Sequence, residues 1–166
     1  MTFFKEMLAY LIPFLSITVS YVFGRLESKS SAKQEMRMKR YQQFYVPFIR
    51  SFYVGFSWSN PWSLRSPEEL NNLFELVMRN LEYLDPDSLK LIPEFYRSFL
   101  VLRETKAGNY EDENAYRNFD NVLNELTKRV LAESKKLGKA LHLPPLGKVA
   151  SDVYLKYESV KPQVPA

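Results

Sequence analysis

The spacing of hydrophobic positions changes character at residue 24. From Met7 to Gly24 the run MLAYLIPFLSITVSYVFG contains no Asp, Glu, Lys, Arg or His. As a helix this run extends roughly 27 Å, close to the hydrocarbon thickness of a bilayer. With Phe3 and Phe4 added, and Lys5 and Glu6 snorkelling at the rim, the pattern predicts a membrane-spanning helix. A cleaved signal peptide fits less well, because there is no basic n-region and no small-x-small cleavage pattern.

After the run, apolar positions recur every three to four residues. Ala32, Met36, Tyr41, Phe44, Tyr45, Phe48 and Phe52 predict an amphipathic helix with charged residues between them. Pro47 places a kink or a boundary near Val46. Ser66-Pro67-Glu68-Glu69 is a helix start in which Ser66 caps, Pro67 takes the first turn and Glu69 completes a capping box. Leu70, Leu73, Phe74, Val77, Leu81 and Leu84 then follow a 3.6-residue period. Asp85-Pro86 opens a further helix with Leu89 and Ile92 inward. Pro93 restarts it with Phe95, Tyr96, Phe99, Leu100 and Leu102, before Gly108.

The last long helix is expected from about Glu111 to near Leu137, with Tyr116, Phe119, Leu123, Leu126, Val130 and Leu137 as its stripe. Glu111, Asp112 and Glu113 suit its positive end, and Lys135, Lys136 and Lys139 its negative end. HLPPLG closes the domain, residues 149–160 suggest one short helix, and the Pro-containing tail should be loose. Strand alternation, a βαβ rhythm and internal repeats are all missing. The expected fold is all-α: an N-terminal transmembrane helix followed by a small helical bundle. Its parts are an anchor at 1–25, a basic juxtamembrane helix at 26–43, the bundle at 44–147, and a short helix with a flexible tail at 148–166.

Composition supports a folded chain. Twelve Phe, eleven Tyr and two Trp against five Gly in 166 residues are not the profile of a disordered protein. The absence of Cys removes disulfides, thiolate metal sites and Cys nucleophiles. Charge is unevenly spread. Residues 1–50 carry eight basic side chains against Glu6, Glu27 and Glu35, a balance of +5, which leaves −1 for the rest of a chain whose total is +4. A nearly neutral body lacks the basic face that nucleic acid requires, so no nucleic-acid partner is expected.

The flanks of the span set its orientation. Arg25, Lys29, Lys33, Arg37, Lys39 and Arg40 follow it, whereas Lys5 alone precedes it. The N-terminus is therefore expected outside and the body on the cytoplasmic side of the cell membrane. Those six cations are candidate contacts to anionic headgroups, or serve topology alone. Within the span, Ser16, Ser20 and Gly24 share one narrow face on which a second helix could approach, so self-association as a homodimer is one expectation.

The stretch from Phe44 to Trp58 is the most aromatic part of the chain. Tyr41, Phe44, Tyr45, Phe48, Phe52 and Trp58 are candidates for either a partner surface or core. Three readings stand open: domain core, membrane-surface segment, or protein contact. Helix continuity separates the first two, since a straight helix from Arg25 to Gln43 would carry Phe44 about 28 Å from the bilayer.

Groups for catalysis are scarce. His142 is the sole histidine and sits in Leu-His-Leu-Pro-Pro with no nucleophile elbow nearby. Adjacent acids such as Glu111, Asp112 and Glu113 point in different directions on a helix, and Glu68, Glu69, Asp85 and Asp87 are explained as caps and first-turn acids. The five glycines are isolated, which excludes a glycine-rich phosphate loop. No catalytic residue, metal ligand or cofactor is assigned. Pro162-Gln163-Val164-Pro165 fits the minimal PxxP pattern, which a plain flexible tail also satisfies.

The N-terminal span, the basic stretch from Lys33 to Arg40, and Arg40-Tyr41-Gln42-Gln43-Phe44-Tyr45-Val46-Pro47-Phe48 give a layout that resembles uncharacterised single-span membrane proteins of bacteria and prophages. The resemblance supplies no catalytic residues. The anchor, the aromatic-rich body and the missing chemical groups lead to the expectation of a membrane-tethered cytoplasmic interaction module without enzymatic activity, with anionic lipids and a protein as partners. The resemblance adds a role in a host membrane process or against incoming phage. Two alternatives are a membrane-surface enzyme or lipid- or small-molecule-binding protein with a pocket between helices, and a pore-forming or membrane-disrupting protein.

Overall fold

The computed structural model describes residues 31–53 and 61–158. The span expected at residues 7–24 lies outside them, as do Ser16, Ser20, Gly24, Arg25, Lys29, Trp58 and the PxxP tail. Among the described residues, no helix is long and apolar enough to cross a membrane. The chain divides into two compact units, residues 1–37 and 38–166. Of the first unit, residues 31–37 are helical, with Lys33 and Met36 exposed and Arg37 half-buried.

The second unit is a helical bundle, and its described residues contain no strand, in keeping with the all-α expectation. Its chain enters through a π-turn, Tyr41–Tyr45, which leads directly into α1, Val46–Tyr53. The wide turn explains how the helix passes Pro47 without ending. A proline ring collides with the carbonyl four residues back, here that of Gln43. Pairing the Val46 amide with the Tyr41 carbonyl, five residues back, opens the ladder at that point.

A 3₁₀ turn at Trp62–Leu64 precedes α2, Pro67–Met78. The capping box at Ser66 is present in full: its Oγ accepts from the Glu69 amide at 3.2 Å, and a Glu69 carboxylate oxygen accepts from the Ser66 amide at 3.2 Å. That arrangement holds the Glu69 carboxyl below its ordinary pKa. The helix stops earlier than its periodicity suggests. Asn80 turns its side-chain amide onto the Leu76 carbonyl at 2.8 Å, and a 3₁₀ turn follows at Leu81–Tyr83. Leu84 is buried all the same, on extended backbone.

Asp85 caps a single turn, α3, Pro86–Leu89, by accepting from the Asp87 and Ser88 amides. Leu89 is exposed rather than inward, because so short a turn buries only its Ser88 side. Helix α4 runs Ile92–Lys106 and buries Ile92, Phe95, Phe99 and Leu102, while Tyr96 faces out. The long helix α5, Ala115–Ala140, starts later than Glu111. Asp112 folds a local turn first, taking the Asn114 amide on its side chain and the Ala115 amide on its carbonyl. The phase follows from that start: Ala115 is buried in place of Tyr116, which lies exposed beneath the Lys106 ammonium.

Helix α6, Leu146–Glu158, packs on α5 and contributes Ala150 and Tyr154 to the core. The bundle thus reaches past the expected limits of 44–147 at both ends, since Tyr41 is buried too. Gly147 allows the close approach. A Cβ there would stand 2.6 Å from the Ser134 Oγ and 2.7 Å from the Lys135 backbone nitrogen, so any side chain would push α6 off α5. The helices α4 and α5 end in the same turn. The amide of Asn109 bonds to the Glu104 carbonyl, and that of Leu143 to the Gly138 carbonyl, closing one such turn around Gly108 at φ 75° and the other around His142 at φ 53°.

The core itself is aromatic. Phe44, Tyr45, Phe48 and Phe52 stand ring to ring with centroids 5.1–5.6 Å apart, and Phe74 stacks on Phe99 at 4.1 Å. Phe95 and Phe99 meet Phe119 of α5.

Candidate functional site

The aromatic stripe resolves as core. Tyr41, Phe44, Tyr45, Phe48 and Phe52 are all buried inside the second unit, so those five side chains present no surface to a partner or to lipid.

Arg40 is taken up in the same way. Its Nε donates to the Tyr83 carbonyl at 2.9 Å and its Nη2 to the Tyr45 hydroxyl at 3.3 Å; Glu133 of α5 lies 4.0 Å from that Nη2. The Tyr45 hydroxyl in turn donates to the Tyr83 carbonyl at 3.1 Å, and the Tyr83 hydroxyl donates to Gln43 at 2.6 Å. Of the six cations expected at headgroups, Arg40 is therefore reassigned to the fold, because protein acceptors occupy the fork that a phosphate would use. Burial pushes the Tyr45 phenol up to about 12, against the lowering influence of Arg40. A phenol held in its neutral form is a poor base, so the network positions rather than reacts. Lys39 stays exposed, with its ammonium 6.0 Å from the Tyr83 ring centroid.

This network lies against the C-terminal half of α5, which is rich in lysine. Lys136 pairs with the same Glu133 at 3.4 Å, and the Tyr41 ring and hydroxyl stand 3.7 Å from where a Cβ of Gly138 would be. Beyond that point, α5 and the start of α6 enclose a cleft of about 290 Å³. Leu143, Pro144 and Pro145 supply apolar walls, and Lys135, Lys139 and Lys148 reach its lining. Ser134 also lines it; its hydroxyl is fully buried and has no hydrogen-bond partner. The Tyr41 phenol is a neighbour of that hydroxyl; burial raises its pKa, against a lowering influence of Ser134.

The sequence pattern assigns Lys135 and Lys139 to the helix dipole and gives Lys148 no role. The available signal was the run from Ser134 to Ser151, which holds four Lys and His142 without a single Asp or Glu. His142 itself is exposed and serves as the turn residue after α5.

Two further clefts are shallower in chemical content. One of about 360 Å³ between α4 and α5 collects Glu94, Arg97, Asp112, Asn118 and Asn121 at an open surface. Another of about 210 Å³ is walled by Leu70, Phe99 and Leu102. Among the described residues, no group of three or more His, Asp or Glu side chains is arranged to hold a metal ion. No protein-family model matches the chain, and neither curated proteins nor solved structures give a significant match.

Proposed function

We propose that the chain is a membrane-tethered helical interaction module without catalytic chemistry, its bundle on the cytoplasmic side. The observation that carries this reading is a coincidence of position. The chain enters the bundle at Arg40 and Tyr41, and those residues meet the part of α5 that bears Lys135, Lys136 and Lys139. A span at residues 7–24 would keep the bundle, and these cations with it, in the membrane-proximal layer, where a cation close to anionic headgroups contributes about 1 kcal/mol. The filled aromatic core supports a scaffold that presents surface in preference to one that encloses a substrate. Tethering also confines the search for a protein partner to the membrane-proximal layer. A role in a host membrane process or against incoming phage rests on the resemblance in layout alone.

Fractionation tests the tether. The full-length protein should sediment with membranes after gentle lysis and stay there through an alkaline carbonate wash. Recovery in the detergent-free supernatant would overturn the proposal. In-cell crosslinking of the full chain should then yield a discrete membrane-associated neighbour or a self-adduct, and a diffuse background would remove the interaction module.

A further inference from the structure

We propose that the cleft between α5 and α6 seats the phosphate-bearing headgroup of an anionic lipid. The inference rests on the tethered reading and gives it a specific contact. Three features of the cleft converge on this ligand class.

The first is charge. Lys135, Lys139 and Lys148 line one cavity and make no ion pair among the described residues, in contrast to Lys136, which Glu133 engages. No carboxylate is among the lining residues. Like-charged groups collected without counter-charges form a focused positive potential that an anion relieves.

The second is the shape of the walls. Leu143, Pro144 and Pro145 place apolar surface beside the ammonium groups. A free inorganic anion makes no use of such walls, whereas a headgroup brings glycerol and acyl carbons with its phosphate. Lysine suits the role because its long stem packs on apolar surface while the charge reaches outward.

The third is the floor. Gly147 and Lys148 belong to the first turn of the 13-residue helix α6, whose amides carry the positive end of its dipole. The Leu146 and Val149 amides on either side fold back onto the Pro144 and Pro145 carbonyls. Ser134, whose buried hydroxyl neighbours the Tyr41 phenol, also lines the cleft.

The test uses the full chain in nanodiscs of phosphatidylcholine, with and without phosphatidylglycerol. It reads acylation rates at each lysine and backbone hydrogen exchange over residues 143–150. On anionic discs, Lys135, Lys139 and Lys148 should react roughly fivefold or more slowly than on neutral discs. Lys90, which pairs with Asp87 at 2.7 Å outside the cleft, should not change. High salt should abolish the difference. The variant carrying Lys135→Gln, Lys139→Gln and Lys148→Gln should enter discs normally and lose the exchange protection at residues 143–150.

Equal rates on the two kinds of disc, with the protein fully incorporated, would overturn the headgroup site and leave the tether intact. Equal protection by glycerol phosphate in detergent without discs would transfer the site to a free phosphate ester and overturn the lipid assignment. Failure to enter discs would refute the tether instead. The same acylation comparison on preformed anionic and neutral vesicles would then decide the cleft.

Discussion

The two halves of the bundle use their side chains in opposite ways. Across the π-turn, α1, α4 and the first half of α5, the phenylalanines are turned inward, and Phe44, Phe48, Phe95 and Phe119 are almost completely buried. Where α5 ends and α6 begins, Gly147 sits against Ser134, and Lys135, Lys136, Lys139 and Lys148 are exposed. The first half stores stability and the second displays charge. A surface can evolve at the second because the first already supplies the burial that folding requires.

Removing bulk from the aromatic half should have the largest effect. Phe48→Ala deletes a fully buried ring that contacts Phe44 and Phe52, and should cost about 3–5 kcal/mol in denaturant unfolding of the bundle. A loss under about 1 kcal/mol would mean that the aromatic half does not carry the fold.

Alkaline titration sharpens the comparison next. The folded-state pKa of Tyr45, about 12, stands above its unfolded value of 10.0, so folding favours the neutral phenol. Its contribution is fully present below pH 10 and is lost as pH rises toward 12, a total of about 3 kcal/mol. Tyr45→Phe should flatten that decline, while losing about 1–2 kcal/mol at neutral pH with the bonds to Arg40 and the Tyr83 carbonyl. Circular dichroism between pH 9 and 12.5 reads both.

At the lysine end, Gly147→Ala should cost about 1–3 kcal/mol, because its methyl group meets the backbone of Ser134 and Lys135, which cannot yield as a flexible side chain would. Exchange protection should fall first in α6, with Phe48 and its neighbours still packed. Simultaneous loss in both halves would show that they are not separable.

The smallest effect is a gain. His142→Gly relieves a left-handed backbone conformation and should stabilise by up to about 1 kcal/mol, offset in part by greater freedom of the unfolded chain. Gly108 fills the equivalent turn after α4 and serves as the internal reference. A destabilising His142→Gly would assign the imidazole a contact of its own.

What could be read in the sequence was whatever local chemistry decides. The Ser66 capping box, the Asp85 cap and the stripe from Phe119 to Leu137 depend on neighbours within a turn or two, and they appear in place. The fate of Arg40 was not legible, because its acceptor, the Tyr83 carbonyl, lies 43 positions along the chain. The early end of α2 escaped because Asn80 competes for a carbonyl that periodicity alone assigns to the helix. The cleft escaped for a different reason: three lysines spread over positions 135 to 148 become neighbours only once α6 folds back onto α5, and the residue that permits it is a glycine with no side chain to signal its role.

The clasp of Arg40 on the Tyr83 carbonyl has a mechanical consequence. Tension on the chain as it leaves the bundle would bear first on that side chain, and through it on the segment ahead of α3, before any strain reached the π-turn. The load would enter two segments of the chain at once. Pulled from that end, the bundle should shear abruptly at high force instead of unzipping turn by turn.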